Sequence, residues 1–136
     1  NKITANFCKS TIKNFTNVRK VLICGLSFKG EPPTKDLRGS SSLEMVKFFR
    51  RAKKNTFCFD PLFTNDEIKK LGFKPMEKKE RFDLIIVANN NKFFGSKTFT
   101  KLLLKITKKK SRVYDCWEIL DKEVKKKFIY RTIGEI

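Results

Sequence analysis

Histidine is absent from this chain and arginine is scarce, and both shortages limit what the protein can do. Without any His among the 136 residues, a histidine-dependent catalytic triad or zinc site is excluded. Only seven of the 32 basic residues are Arg, whereas proteins that read DNA bases rely strongly on Arg. The net charge of +18 is therefore mostly lysine charge, and nucleic acid is unlikely as the main partner on these grounds.

Long apolar runs and paired cysteines are also missing. No stretch approaches the ~20 apolar residues that span a membrane, and the polar residues 1–20 lack the apolar centre of a signal peptide. The four cysteines, Cys8, Cys24, Cys58 and Cys116, form no CxxC pair, and their spacing gives no sign of a metal site. Three of them lie in or beside apolar runs, which predicts reduced, mostly buried thiols and a cytoplasmic protein without a membrane partner.

The apolar pattern alternates between strand-like and helix-like segments. Helices are predicted over residues 2–16, 43–53, 65–71, 97–108 and 119–126, and strands over residues 21–24, 56–59, 82–88, 112–116 and 128–132. This alternation predicts an α/β fold with a doubly wound, mainly parallel, Rossmann-like sheet of about five strands and a leading N-terminal helix. We expect residues 18–136 to form one domain and residues 1–17 to be the tail of an inter-domain helix.

The loops that follow the predicted strands are the candidate site, because doubly wound sheets bind ligands at the carboxyl ends of their strands. These loops hold several polar residues: Lys29, Asp36, Arg38, Asp60 and Asn89 to Asn91. The turn after the first strand, G-L-S-F-K-G at residues 25–30, matches neither G-x-G-x-x-G nor the phosphate-binding P-loop. This domain is therefore not expected to bind NAD or ATP in the usual way, and no residue is predicted to be catalytic.

The same turn carries a resemblance to a known family. G-L-S-F-K at residues 25–29, followed by D-L-R-G-S at 36–40, resembles the "G-L-A-F-K … D-x-R-x-S" signature of nucleotide-sugar dehydrogenases of the UDP-glucose/GDP-mannose dehydrogenase family. That signature opens their C-terminal domain. Weaker similarities follow in the family's order: F-D-P at 59–61, F-D-L-I-I-V at 82–87 with Phe at 93 and 94, V-Y-D at 113–115, and Y-R-T-I-G at 130–134.

The resemblance implies the activity of a longer enzyme. Such enzymes oxidise the sugar C6 alcohol to a carboxylate in two NAD-dependent steps, as part of polysaccharide biosynthesis. Their N-terminal domain holds NAD and a central segment supplies the catalytic cysteine, while the C-terminal domain binds the UDP part of the substrate. The resemblance thus implies a UDP-sugar substrate, no cofactor in these 136 residues, a partner in the remainder of its own chain, and a homodimer of the full-length enzyme. We expect this part alone to be inactive.

The resemblance also implies which residues contact substrate. Phe28 and Lys29 would line the substrate site, since an ammonium group suits a pyrophosphate or sugar oxygen. Arg38 is a further candidate for substrate contact, although it can instead pair with Asp36. Trp117 can pack either on the ligand or in the core.

Three other residues are expected to organise the loops rather than to bind, namely Asp36, Ser40 and Asp60. One departure from the family pattern concerns the fourth predicted strand. The family often places an Arg just after the Asp of this strand, whereas Asp115 is followed here by C-W-E. This difference leaves the identity of the sugar open.

Two other functions are compatible with the sequence. A stand-alone basic α/β module could bind nucleic acid or another polyanion, and a degenerate relative could serve as an interaction domain. The lysine clusters at 53–54, 78–79, 108–110 and 125–127 are scattered along the chain, mostly at helix ends or in turns. That distribution favours a solvated surface, where lysines suit helix C-termini, over a single basic face.

Overall fold

The computed structural model describes residues 2–14 and 17–132. The helices are α1 (Lys2–Asn14), α2 (Ser41–Arg51), α3 (Asn65–Lys70), α4 (Lys97–Ile106) and α5 (Lys122–Lys127), with a short 3-10 helix at Lys92–Gly95. The strands are β1 (Lys20–Cys24), β2 (Asn55–Phe59), β3 (Lys74–Pro75), β4 (Phe82–Val87), β5 (Thr107–Asp115) and β6 (Ile129–Arg131). The predicted first-helix end at residues 15–16 and the closing Gly134 lie outside the described residues.

All strand pairs are parallel, and the sheet order is β3-β2-β1-β4-β5-β6. This order confirms the predicted α/β, doubly wound architecture. From β1 the chain builds outward to β2 and β3, and it then returns to the other side of β1 to form β4. Leu22 accordingly pairs with Phe57 of β2 on one side and with Ile85 of β4 on the other. The boundary between β1 and β4 is therefore the topological switch point of the sheet.

Two apolar cores cover the two faces of the sheet, because alternate strand residues point to opposite faces. The first core joins Val21 and Ile23 to buried side chains of α1, α2 and α3. The second core joins Leu22 and Cys24 to buried side chains of the 3-10 helix, α4 and α5. A parallel sheet requires that both of its faces be covered, and this explains why β1 and β4 are continuous apolar runs in the sequence.

The structure corrects the predicted strands in two places. The sheet has six strands rather than about five, since Lys74–Pro75 forms a two-residue edge strand. The predicted helix 97–108 ends at Ile106 and β5 begins at Thr107 rather than at residue 112. A register shift between β4 and β5 explains the second difference. The Ser111 hydroxyl donates to the Phe82 carbonyl at 2.8 Å and accepts from the Lys108 amide at 2.7 Å. These hydrogen bonds close the irregular turn at residues 108–111 and attach it to β4.

The structure confirms that the cysteine thiols are mostly buried. All four are free, with Cys8, Cys24 and Cys58 buried and Cys116 partly buried. Burial raises the pKa of Cys8, Cys58 and Cys116 to about 12 and raises the pKa of Cys24 well above its ordinary value. These thiols are therefore protonated and weakly nucleophilic at neutral pH.

Candidate functional site

A cavity of about 240 Å³ opens at the carboxyl edge of the sheet, beside the switch point. Ligands of doubly wound folds bind at this position, because the loops leaving β1 and β4 diverge there and leave a crevice. Five parts of the chain line it, through residues that include Phe7 of α1, Phe28 after β1, Ser42 of α2, Ala88 after β4 and Trp117 after β5.

The loop from β1 to α2, residues 25–40, contacts the turns after both neighbouring strands, β2 and β4, where it begins. Gly25 has a φ of +90°, and a Cβ there would lie 2.6 Å from the Asn89 side chain, so both conformation and space require glycine. The buried Asp60 carboxylate accepts hydrogen bonds from the Leu26 amide at 2.7 Å and from the Leu62 amide at 2.8 Å. Asp60 thereby ties the loop after β1 to the turn after β2.

The far side of this loop is attached to the turn after β4. The Gly30 amide donates to Asn90 Oδ1 at 2.9 Å, and Asn89 Nδ2 donates to the Ser27 carbonyl at 3.3 Å. A Cβ on Gly30 would lie 1.9 Å from the Asn91 backbone nitrogen, so the two loops touch backbone to backbone. Side chains from both neighbouring strand ends thus hold the loop in one conformation.

An ion pair organises the second half of the loop. Arg38 forms a two-pronged contact with Asp36, with Nε to Oδ1 at 3.0 Å and Nη2 to Oδ2 at 2.7 Å. The Arg38 hydrogen bonds lower the pKa of Asp36 to about 2. The Phe28 amide also donates to the Asp36 carbonyl at 3.1 Å. Of the two roles considered for Arg38, the structure shows pairing with Asp36, and 91% of the Arg38 side chain is exposed to solvent.

The N-terminal end of α2 forms part of the cavity wall through Ser41 and Ser42. Ser40 occupies the N-cap position, but its hydroxyl donates to the Leu26 carbonyl at 2.6 Å and makes no capping bond to the helix. Ser42 likewise donates to the Gly25 carbonyl. Both serines therefore fasten the loop, and the Ser40 side chain makes no capping hydrogen bond to the first amides of α2. Amides at a helix start favour negative charge, so this wall of the cavity suits an anion.

Two exposed aromatic rings stand at the cavity. Phe28 is 42% exposed and Trp117 is 52% exposed, although large apolar side chains are usually buried. Trp117 Nε1 donates to the Ala88 carbonyl at 3.1 Å, which fixes the indole across the end of β4. The structure thus places Trp117 at the cavity and not in the core. The Lys29 ammonium lies 5.1 Å from the centre of the Phe28 ring.

The loop that carries Trp117 is anchored by Asp115, which is fully buried at the end of β5. Its Oδ2 accepts from the Tyr130 hydroxyl at 2.7 Å and from the Leu120 amide at 2.9 Å. Glu118 adopts a φ of +53° in the same turn. Asp115 therefore fixes the path of residues 116–120 relative to β6.

The structure brings together some of the predicted site residues and separates others. Phe28 and Trp117 line the cavity, Lys29 lies beside Phe28 outside the lining, and Arg38 points to solvent. Sequence analysis missed the contribution of α1, whose Phe7 reaches the cavity. Asn89 to Asn91 were named among the polar residues of the strand-end loops, without individual roles. Asn91 caps the 3-10 helix, whereas Asn89 and Asn90 hold the loop after β1.

Within residues 2–14 and 17–132, no three His, Cys, Asp or Glu side chains are grouped as they would be around a metal ion. Of the helices described, none has the length and apolar character needed to cross a membrane.

Comparison with known proteins identifies similar domains. Residues 22–122 match the family model described as "UDP-glucose/GDP-mannose dehydrogenase family, UDP binding domain". A comparison with curated protein sequences gave no match.

Solved structures share the fold. A UDP-N-acetyl-mannosamine dehydrogenase from S. aureus superposes with a TM-score of 0.74 at 16% identity, over 97% of this chain and 31% of that one. A UDP-D-ManNAc dehydrogenase from Pyrococcus horikoshii gives 0.70 at 23% identity, over 98% and 30%. A UDP-glucose dehydrogenase from Pyrobaculum islandicum gives 0.69 at 15% identity, over 99% and 30%. The chain thus spans about 30% of the length of these proteins.

Proposed function

The chain belongs to the UDP-glucose/GDP-mannose dehydrogenase family, and we propose that it is the part of such an enzyme that binds the nucleotide half of a UDP-sugar. The observation that supports this proposal most strongly is the cavity at the switch point, where exposed aromatic rings stand beside a helix start without a side-chain cap. A nucleoside diphosphate needs both features, an apolar surface for its base and hydrogen-bond donors for its phosphates.

We assign the diphosphate to the wall formed by Ser41 and Ser42 at the start of α2. The helix dipole and the first amides favour anions there. Lys29, whose ammonium lies beside the Phe28 ring, supplies a positive charge at the cavity mouth. The uracil ring would pack on Phe28 or Trp117, both of which present exposed aromatic surface. In this assignment Asp36, Arg38, Ser40 and Asp60 shape the loop and do not touch the ligand.

The size of the cavity supports a site shared with other parts of a longer protein. Its 240 Å³ is below the ~300–1,000 Å³ that encloses a small ligand. We propose that the remainder of the enzyme supplies the opposite wall, which closes over the sugar. In this scheme α1 is the end of the helix that joins the two parts, and its Phe7 couples that helix to the site.

The residues present do not fit NAD. The turn after β1 lacks the G-x-G-x-x-G pattern, and α2 starts only at Ser41 instead of directly after a short glycine turn. The turn after β1 therefore lacks the glycine pattern that lets the backbone approach a dinucleotide pyrophosphate closely. We therefore assign NAD to another part of the full-length enzyme, and we propose no catalytic residue in this chain.

The activity proposed for the full-length protein is the NAD-dependent oxidation of a UDP-sugar C6 alcohol to a uronic acid. We further propose that the enzyme is a cytoplasmic homodimer that serves polysaccharide biosynthesis. The protonated, buried cysteines of this chain are poor nucleophiles, which agrees with a binding role for this part.

Trp117 offers a direct test, because it is the only tryptophan in the chain and lies at the cavity. UDP is titrated at physiological salt while indole fluorescence is followed, with GDP and a short single-stranded DNA as competitors. We expect saturable quenching by UDP, weakened by Phe28→Ala and Lys29→Ala and unchanged by the control Lys126→Ala on α5. Quenching by DNA as strong as that by UDP, and equally sensitive to salt, would support a polyanion-binding module instead.

A further inference from the structure

A second and larger cavity, about 830 Å³, lies between α4 and the link from β3 to β4, residues 76–81. We propose that this α4 groove binds a small carboxylate with a long aliphatic tail, such as an acyl anion. The groove is separate from the cavity at the switch point, and the two share no lining residue. The proposal therefore does not depend on UDP binding.

The topology explains why the groove exists. Parallel strands are usually joined by a helix that covers one face of the sheet. Here the crossover from β3 to β4 is only residues 76–81 and contains no helix, so the second face is thinly covered above β2 and β3. Phe59 at the end of β2 and Met76 in the link are left partly exposed along the groove.

The floor of the groove is apolar and has little capacity for hydrogen bonding. It is formed by Phe59, Met76, Phe93 and Leu102, while Leu104 on the rim is 41% exposed. Thr107 also lines the groove, but its hydroxyl donates to the Leu103 carbonyl at 2.7 Å. Of the described residues that line the groove, none has a side-chain amide that could read the edge of a nucleobase. This composition suits an aliphatic chain better than a nucleotide.

Cations border both walls of the groove. Lys78 and Arg81 lie on the link, and Lys101 and Lys105 lie one turn apart on α4. Across residues 2–14 and 17–132, no carboxylate lies within ion-pair distance of any of these four. Like charges at i,i+4 destabilise a helix, and an anion between the walls would relieve that repulsion. The charge pattern therefore specifies an anionic head group for the apolar tail.

The same cations disfavour a second copy of this chain as the occupant. A two-fold interface centred on the groove would place the four cations of one copy against the same four cations of its partner. A chain of net charge +18 has no surplus of acid to compensate them. An amphipathic anion meets both the apolar floor and the basic rim.

The test uses decanoate as the probe, below its critical micelle concentration, titrated into the 15N-labelled 136-residue chain. Decyltrimethylammonium has the same tail with the opposite charge and serves as the head-group control. The double variant Lys101→Glu/Lys105→Glu reverses two rim charges. Its matched control, Lys122→Glu/Lys126→Glu, makes the same charge change at the same i,i+4 spacing on α5.

We expect saturable amide shifts confined to residues 76–81 and 98–107. The groove variant should weaken binding at least about tenfold, since a charge-assisted hydrogen bond is worth about that factor or more. The α5 variant should bind like the parent chain. Equal binding of the cationic surfactant, shifts outside the groove, an unaffected groove variant, or self-association of the chain through these residues would each overturn the proposal.

Discussion

Replacing Asp60 by alanine should destabilise the whole domain by releasing the loop after β1. The carboxylate is 2% exposed and accepts from the amides of Leu26 and Leu62 at 2.7 and 2.8 Å. Asp60→Ala leaves the buried Leu26 amide without this acceptor, at a cost of about 1–3 kcal/mol, and the half-buried Leu62 amide at about 1 kcal/mol. The expected loss of about 2–4 kcal/mol is a large part of the ~5–15 kcal/mol stability of a typical domain.

Urea denaturation followed by far-UV circular dichroism measures this loss. Asp60→Asn keeps one acceptor oxygen and should lose about half as much, because its amide nitrogen cannot accept the second hydrogen bond. Asp66→Ala removes an exposed carboxylate from the first turn of α3 and should cost less than about 1 kcal/mol. If Asp60→Ala lost no more stability than Asp66→Ala, the role assigned to this carboxylate would be refuted.

Three further predictions follow from the same loop and from the cysteines. Gly30→Ala should lower both stability and UDP affinity more than Gly39→Ala does, because a Cβ at Gly30 would meet backbone at 1.9 Å. Gly39→Ala meets no neighbour within 4 Å among the described residues and costs only the strain of a φ of +70°. Thermal melts and UDP titrations compare the two variants, and equal effects would contradict the close packing. The Arg38 Nε resonance should titrate with a midpoint of about 2, because pairing with Arg38 lowers the pKa of Asp36. The ion pair is fully present above the ordinary Asp pKa of ~3.9 and is lost as the pH falls through the lowered pKa. A midpoint near ~4 would refute the pairing. The native thiols should react with a disulfide reagent at pH 8 at least about a hundredfold more slowly than in denaturant, and rapid reaction of Cys8 or Cys58 would contradict their burial and raised pKa.

Much of the fold could be predicted because its central strands are enclosed on both faces. The apolar runs of β1 and β4 and the helical periodicity between strands indicated a doubly wound sheet from the residues alone. The edge strand β3 was missed because two residues, Lys74–Pro75, show no periodicity. The start of β5 was missed because its three lysines and Ser111 form an irregular turn whose hydrogen bonds reach to Phe82, far away in sequence.

The site could be predicted only in part. Family resemblance pointed to Phe28 and Lys29, and of these two Phe28 lines the cavity. Trp117, for which packing on the ligand or in the core stayed open, also lines it. The contact between Gly30 and Asn90 joins residues 60 positions apart, and no local sequence pattern predicts it. The place of Phe7 at the cavity likewise depends on how α1 packs against α2, which is a tertiary property. The pairing of Arg38 with Asp36 was one of two alternatives, and only the geometry distinguishes them.

Binding of the UDP group to the cavity at the switch point is tested most directly by an NMR titration of the 15N-labelled chain with UDP at physiological salt. We expect saturable shifts confined to the amides of residues 25–42 and 116–118, with weaker responses to GDP and short DNA. Shifts spread over the lysine clusters at 108–110 and 125–127 that vanish with added salt, or no shift at residues 25–42, would contradict it.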